Sequence, residues 1–120
     1  MNLRPRTSSW WWHAMLVPGV LILLVGGGEP ESRDVAPRRH SLEIQGMAFR
    51  PAVLELEAGD TVVWTNRDMV PHTATGTSEP AWGTGILSQG ESGQFVARAR
   101  GTTPYFCELH PIMKGKLIIR

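Results

Sequence analysis

From His40 onward the apolar residues of this chain fall in short runs with a period of two, and turn-forming residues separate the runs. The runs are Leu42 and Ile44; Val53, Leu54 and Leu56; Val62, Val63 and Trp64; Phe95 and Val96; Tyr105 and Phe106; and Leu117, Ile118 and Ile119. Alternation sends every second side chain to the same face of an extended backbone, so these segments are expected to be strands. Turn signals at Arg50-Pro51, Ala58-Gly59-Asp60, Gly90-Glu91-Ser92-Gly93 and Gly101 space them as a sandwich or barrel of antiparallel type requires. Residues 77–90 are glycine-rich and carry no helical periodicity, so a loop is expected there. The expected fold class is all-β, a two-sheet antiparallel β-sandwich over residues 40–120.

The segment before His40 has a different character. Arg4 and Arg6 precede Trp10, Trp11 and Trp12, then an apolar run over residues 14–25, then three glycines at 26–28. This charged, apolar, small-residue order is that of a secretory signal peptide, and cleavage near Gly28 is the favoured outcome. The run is about a dozen residues, short of the roughly 20 that a spanning helix needs. The competing reading is an uncleaved membrane anchor with the tryptophans at the interface. Either way the domain is expected to be exported, to the periplasm or the outer face of the membrane. Residues 29–39 are polar, contain two prolines and read as a linker. His13 lies in the leader and is expected to be incidental. Without the leader's two arginines the formal charge of +1 becomes about −1, too balanced for a nucleic-acid partner. The single cysteine, Cys107, excludes an intramolecular disulfide.

That cysteine opens the most informative motif. Cys107, His110 and Met113 recur at three-residue steps, so one tight loop can present a thiolate, an imidazole and a thioether to one point. His72, after Pro71, is a fourth candidate on the loop that follows the strand expected at 61–66. Two imidazoles, a thiolate and a weak axial methionine make a soft donor set that selects copper in electron-transfer sites; zinc is chemically permitted by the same ligands. Taken singly, Cys107 reads as a small buried hydrophobe, Met113 as a gap-filler and each histidine as a surface residue. The four in this order favour a metal site.

The stretch from Leu54 to His72, with Trp64-Thr65-Asn66-Arg67-Asp68-Met69-Val70-Pro71-His72 at its end, and the stretch Tyr105-Phe106-Cys107-Glu108-Leu109-His110-Pro111-Ile112-Met113-Lys114-Gly115 resemble the small blue copper proteins of the cupredoxin family. Within that family the likeness is greatest to the amicyanin group, with plastocyanin and pseudoazurin further away. The resemblance covers residues 40–120. It implies a Greek-key sandwich, one type 1 copper ion, His72, Cys107 and His110 as its strong ligands and Met113 as the axial one. It also implies a one-electron carrier, monomeric, exchanging electrons with redox proteins that dock at His110, Pro111 and Ile112.

Two departures from the family pattern carry expectations. Many relatives have asparagine directly after the first histidine, bracing the cysteine loop; Thr73 stands here, and its hydroxyl is expected to bond the loop less well. Relatives with the short loop often have proline where this chain has Leu109, whose N–H is expected to donate to the Cys107 sulfur.

A copper-holding or copper-delivery protein on the same fold is the alternative function, disfavoured because the chain has no exchangeable methionine- or histidine-rich cluster. A cysteine-histidine hydrolase is disfavoured because no acid or amide is placed to orient the base, and the chain is not expected to be an enzyme. Membrane association is expected only through the N-terminal segment, if it is retained. His40 is expected to be an exposed residue at the start of a strand, Trp64 and Phe95 core residues. Trp82 is either a partly buried loop anchor or a surface contact. Asn66, Pro71 and Tyr105 fit the motif but are equally explained by turn chemistry or packing, and Glu108 reads as a solvated charge.

Overall fold

The computed structural model describes Gly19, residues 26–28 and residues 35–120. The leader, most of the linker and His13 lie outside the described residues. One compact unit spans Asp34–Arg120. It contains eight strands: β1 (Arg39–Ile44), β2 (Phe49–Arg50), β3 (Val53–Leu56), β4 (Thr61–Asn66), β5 (Thr75–Gly76), β6 (Ser92–Val96), β7 (Gly101–Phe106) and β8 (Lys114–Ile119). Among the described residues there is no helix. Every alternating run seen in the sequence is a strand. The two-residue strands β2 and β5 are too short to show a period and were not legible.

The strands form two four-stranded sheets, in the orders β2-β1-β4-β6 and β3-β8-β7-β5. Both sheets are mixed, where all-antiparallel pairing was expected. β1 runs parallel to β4, and β3 runs parallel to β8. The physical reason is the crossover: the chain leaves β1 and β2, crosses to the second sheet at β3, and returns beside β1 as β4 in the same direction. Alternation reports which face is buried, not which strand lies alongside.

The inward faces meet in one core. On β4, Val62, Trp64 and Asn66 are buried in strict alternation. Leu42 and Ile44 of β1, Leu56 of β3, Tyr105 of β7, and Leu117 and Ile119 of β8 face them. Burial of each large apolar side chain contributes about 1.5–3 kcal/mol before chain entropy is subtracted. The parity of β7 carries past its end, so Cys107, two residues after Tyr105, is also turned inward and is wholly buried.

An aromatic layer runs from the core, where Trp64, Tyr105 and Phe49 are buried, out to Trp82 and Phe95, which are half-buried. Phe95 thus flanks the core rather than lying within it. Trp82 stacks on Phe95 at a centroid separation of 4.1 Å and on Trp64 at 5.7 Å, which makes it a loop anchor rather than a surface contact. Tyr105 packs edge-on against Trp64 and Phe49, and burial pushes its hydroxyl up to about 12. Two glycines permit this packing by close approach. A Cβ on Gly76 would lie 2.2 Å from Trp82 Nε1, and one on Gly115 would lie 2.1 Å from Tyr105 Cζ.

The pole where β1 begins is knitted by Asp60. Its buried carboxylate accepts the backbone N–H of Arg38 and of Glu57, and pairs with His40 Nε2 at 2.8 Å. His40 is thus half-buried and engaged rather than simply exposed. The Asp60 carbonyl accepts the Ala97 amide, so one residue ties β1, the β3–β4 turn and the end of β6. Burial alone would raise the Asp60 pKa, but the Arg38 amide, His40 and the Glu57 amide outweigh it and hold it below the ordinary 3.8. A depressed carboxylate stabilises the fold above its unfolded-state pKa, and that contribution is lost as pH falls through the folded value. Asp60→Asn is therefore expected to lower the denaturant midpoint at neutral pH and to flatten the acid limb below 3.8. Equilibrium unfolding across a pH series measures both.

Candidate metal centre

The opposite pole, where β4 and β7 end, gathers the four residues singled out from the sequence. The loop after β7 is two consecutive tight turns. The His110 amide donates to the Cys107 carbonyl at 3.3 Å, and the Met113 amide donates to the His110 carbonyl at 2.9 Å. A bond from the Cys107 amide to the Met113 carbonyl, at 3.1 Å, closes the ends together. The three-residue step of the motif is thus the i to i+3 step of a β-turn: each of these residues stands at the end of a turn, not at its tip.

His72 arrives from the other sheet. Its backbone exchanges two hydrogen bonds with Leu87, N to O at 3.1 Å and O from N at 2.8 Å. Asn66, at the end of β4, shapes the approach: its amide nitrogen donates to the Val70 and Leu87 carbonyls, and its oxygen accepts the Asp68 amide. The role of Asn66 is the turn chemistry foreseen, and Tyr105 is a core residue.

Nδ1 of His72, Sγ of Cys107 and a ring nitrogen of His110 converge so that the three ligand atoms lie within 4.8 Å of one another. Sγ is 3.8 Å from His72 Nδ1 and 3.7 Å from His110 Nδ1. A nitrogen about 2.05 Å and a sulfur about 2.3 Å from a shared ion, subtending about 120°, would be about 3.8 Å apart. The donor set fits a first-row metal in a near-trigonal plane. Met113, three per cent exposed, is buried beside them at the end of the same loop. His72 and Cys107 are sealed from solvent, while His110 is half-buried and is the donor nearest the surface.

The surroundings prepare these donors. Nε2 of His72 lies 2.9 Å from Asp68 Oδ2. A carboxylate accepts the Nε2 proton there, which leaves the Nδ1 lone pair bare toward the sulfur. Asp68 also accepts the amides of Gly46 and Met47, at 2.7 and 2.9 Å. Those two residues have φ of 63° and 59°, a consecutive left-handed pair that aims adjacent N–H groups at one anion. Burial raises the Asp68 pKa, and the Met47 and Gly46 amides with His72 more than reverse it, so the carboxyl stays below its usual range. Asp68 had no assigned role in the sequence. Its amide partners Gly46 and Met47 are 22 and 21 residues away and no local spacing announces them; the signal that could have found it is His72, four residues on.

Two expectations about the sulfur and its loop are corrected. The backbone donor to Sγ is the Thr73 amide, at 3.3 Å. Among the described residues Leu109 makes no such bond; its side chain points to solvent at the tip of the first turn. The Thr73 hydroxyl, far from serving the loop poorly, accepts the Glu108 amide directly at 2.9 Å. The shorter side chain suffices because Thr73 lies opposite Glu108 where the β5–β7 pairing, Thr75 with Phe106, runs out.

Over residues 38–120 the chain matches the family model described as copper binding proteins of the plastocyanin/azurin family. It belongs to that family, and copper is its cofactor. It is 30% identical over 100 residues to amicyanin-alpha of Methylorubrum extorquens, covering 79% of this chain and 84% of that one. It is 29% identical over 90 residues to amicyanin of Paracoccus denitrificans, covering 72% and 69%. The solved Cu(I) form of an amicyanin variant superposes with a TM-score of 0.66 at 27% identity, over 72% of this chain and 87% of that one. A purple cupredoxin from Nitrosopumilus maritimus, at 24% identity over 68% and 99%, shares the fold with a TM-score of 0.63.

Asp68→Ala removes the carboxylate that orients His72. The expected outcome is roughly ten- to hundred-fold weaker metal binding. Competition titration against a chelator measures it, with thermal unfolding of the metal-free protein as the control for the lost Gly46 and Met47 contacts.

Proposed function

We propose that the protein is a monomeric one-electron carrier in which His72, Cys107 and His110 hold a single type 1 copper and Met113 is its weak axial ligand. Bound copper supplies the one-electron couple. The chain's own residues fix the donors, exclude water and present one ligand edge to a partner. The observation that carries the proposal is the burial of a thiolate donor between two imidazole nitrogens at 3.7 and 3.8 Å, on a loop locked by its own backbone bonds. Cys107 is 0% exposed, which suits a retained ion and counts against the copper-delivery alternative, since delivery needs accessible, exchangeable ligands. Cu(II) added to the purified protein is expected to give an intense visible thiolate-to-copper band, and Cys107→Ser to lose it. A colourless copper complex would refute the ligand assignment.

Electrons enter and leave, in this proposal, at the half-buried His110 edge. Pro111 beside it is exposed, and Ile112 is 88% exposed. Met69, on the loop that leads to His72, is 87% exposed, and Leu109 is also open to solvent. Apolar side chains displayed at the metal pole suit the small transient interfaces of redox proteins. Ile112→Glu is expected to slow electron exchange with a protein partner while leaving the visible band and the rate with a small inorganic reductant unchanged. Stopped-flow traces with both reductants measure it. The leader supports an exported, periplasmic carrier, with residues 1–28 as signal peptide or anchor, 29–39 as linker and 40–120 as the copper domain.

A further inference from the structure

The hydroxyl of Thr73 lies 3.0 Å from that of Thr75, and geometry alone leaves the donor open. Hydrogen-bond accounting decides it. Thr73 is 1% exposed, and its oxygen already accepts the Glu108 N–H, which can only donate. A buried hydroxyl proton needs an acceptor, and among the described residues Thr75 Oγ1 is the one within reach. Thr75 is half-buried, so its own proton can be satisfied by solvent. The chain therefore runs one way, from the Glu108 amide to Thr73 to Thr75, and donation from Thr73 strengthens its oxygen as acceptor.

The far end of this chain is held firmly. Thr75 pairs with Phe106 of β7 on one side and bridges Gly83 on the other. The Gly76 amide donates to the Trp82 carbonyl and the Thr84 amide to the Ala74 carbonyl, so Thr75 is clamped to the loop that Trp82 anchors in the core. The near end acts on one planar peptide group, that between Cys107 and Glu108. Its N–H goes to Thr73, and its C=O takes the His110 amide. Tilting that plane moves the sulfur and His110 together.

We infer that Thr75, which among the described residues makes no side-chain hydrogen bond to a metal donor, is a positioning residue for the copper loop: through Thr73 it fixes the Cys107–Glu108 peptide and thereby the relation of Cys107 to His110. This rests on the ligand assignment proposed above, so its test reads the metal-free protein as well as the copper form. Amide hydrogen exchange of Glu108 is followed by NMR in the metal-free wild type, Thr75→Val, Thr73→Val and Thr75→Ser. Both valine variants are expected to speed it by about five-fold, the population change that loss of one ordinary hydrogen bond gives. Thr75→Ser, which keeps the hydroxyl, is expected to match wild type. In the copper form Thr75→Val is expected to shift the reduction potential and the position of the visible band without removing it. Wild-type exchange at Glu108 in Thr75→Val overturns the inference. Faster exchange with an unmoved potential and band overturns the link to the copper loop. A wild type that binds copper without a visible band refutes the ligand assignment instead, and leaves the exchange data to judge the relay.

Discussion

A sulfur atom sealed at one pole of a β-sandwich is the constraint around which the rest of this structure is arranged. Water cannot reach Cys107 Sγ, so whatever negative charge it carries has to be met by groups the fold supplies. Three groups face it: the Thr73 amide, which donates to the sulfur, and the Nδ1 atoms of His72 and His110, which together with the sulfur are placed to hold a cation. Two of them come from the segment that follows β4 and one from the loop that follows β7. The site therefore exists only while the two sheets are packed together. That dependence explains why so many hydrogen bonds at this pole join segments remote in sequence, including those of Asp68 to Gly46 and Met47 and of Thr73 to Glu108.

The two poles divide the labour. Asp60 fastens the pole where β1 starts, joining three strands through backbone amides and His40, and carries no ligand. The metal pole holds the donors and exposes apolar side chains around His110. Between them lies the layer of Trp64, Trp82, Phe95, Phe49 and Tyr105, stacked or edge-on at centroid separations from 4.1 to 5.7 Å. Close-packed aromatic rings leave little free volume, so the donors rest on a stiff base. A stiff donor frame suits one-electron exchange, because ligands that stay in place between oxidation states add little reorganisation. The turn-locked loop contributes in the same sense, since its three backbone bonds limit how far His110 can move relative to Cys107.

Much of this was open to reading from the chain alone. Period two revealed the six longer strands because one face of each is buried and the other is not. The three-residue step of Cys107, His110 and Met113 was informative because two successive turns impose that step on the residues at their ends. Trp64 on β4 and Tyr105 on β7 followed from the same parity. The short strands β2 and β5 escaped because two residues cannot display a period. The parallel pairs escaped because direction follows from a crossover between sheets, which alternation does not encode.

The sequence by itself thus determined the strand segments, the buried faces and the four candidate donors, since each is a property of residue type and local spacing. Tertiary structure alone decided which backbone amide reaches the sulfur, that Asp68 sets the tautomer of His72, and that Thr73 and Thr75 hold the loop. It also decided that Trp82, half-buried, stacks on Phe95 and Trp64. The physical reason is common to all of these. A hydrogen bond or a stacking contact between groups on different strands depends on distance and angle across the sandwich, and those are fixed only when the register and crossing of whole sheets are fixed.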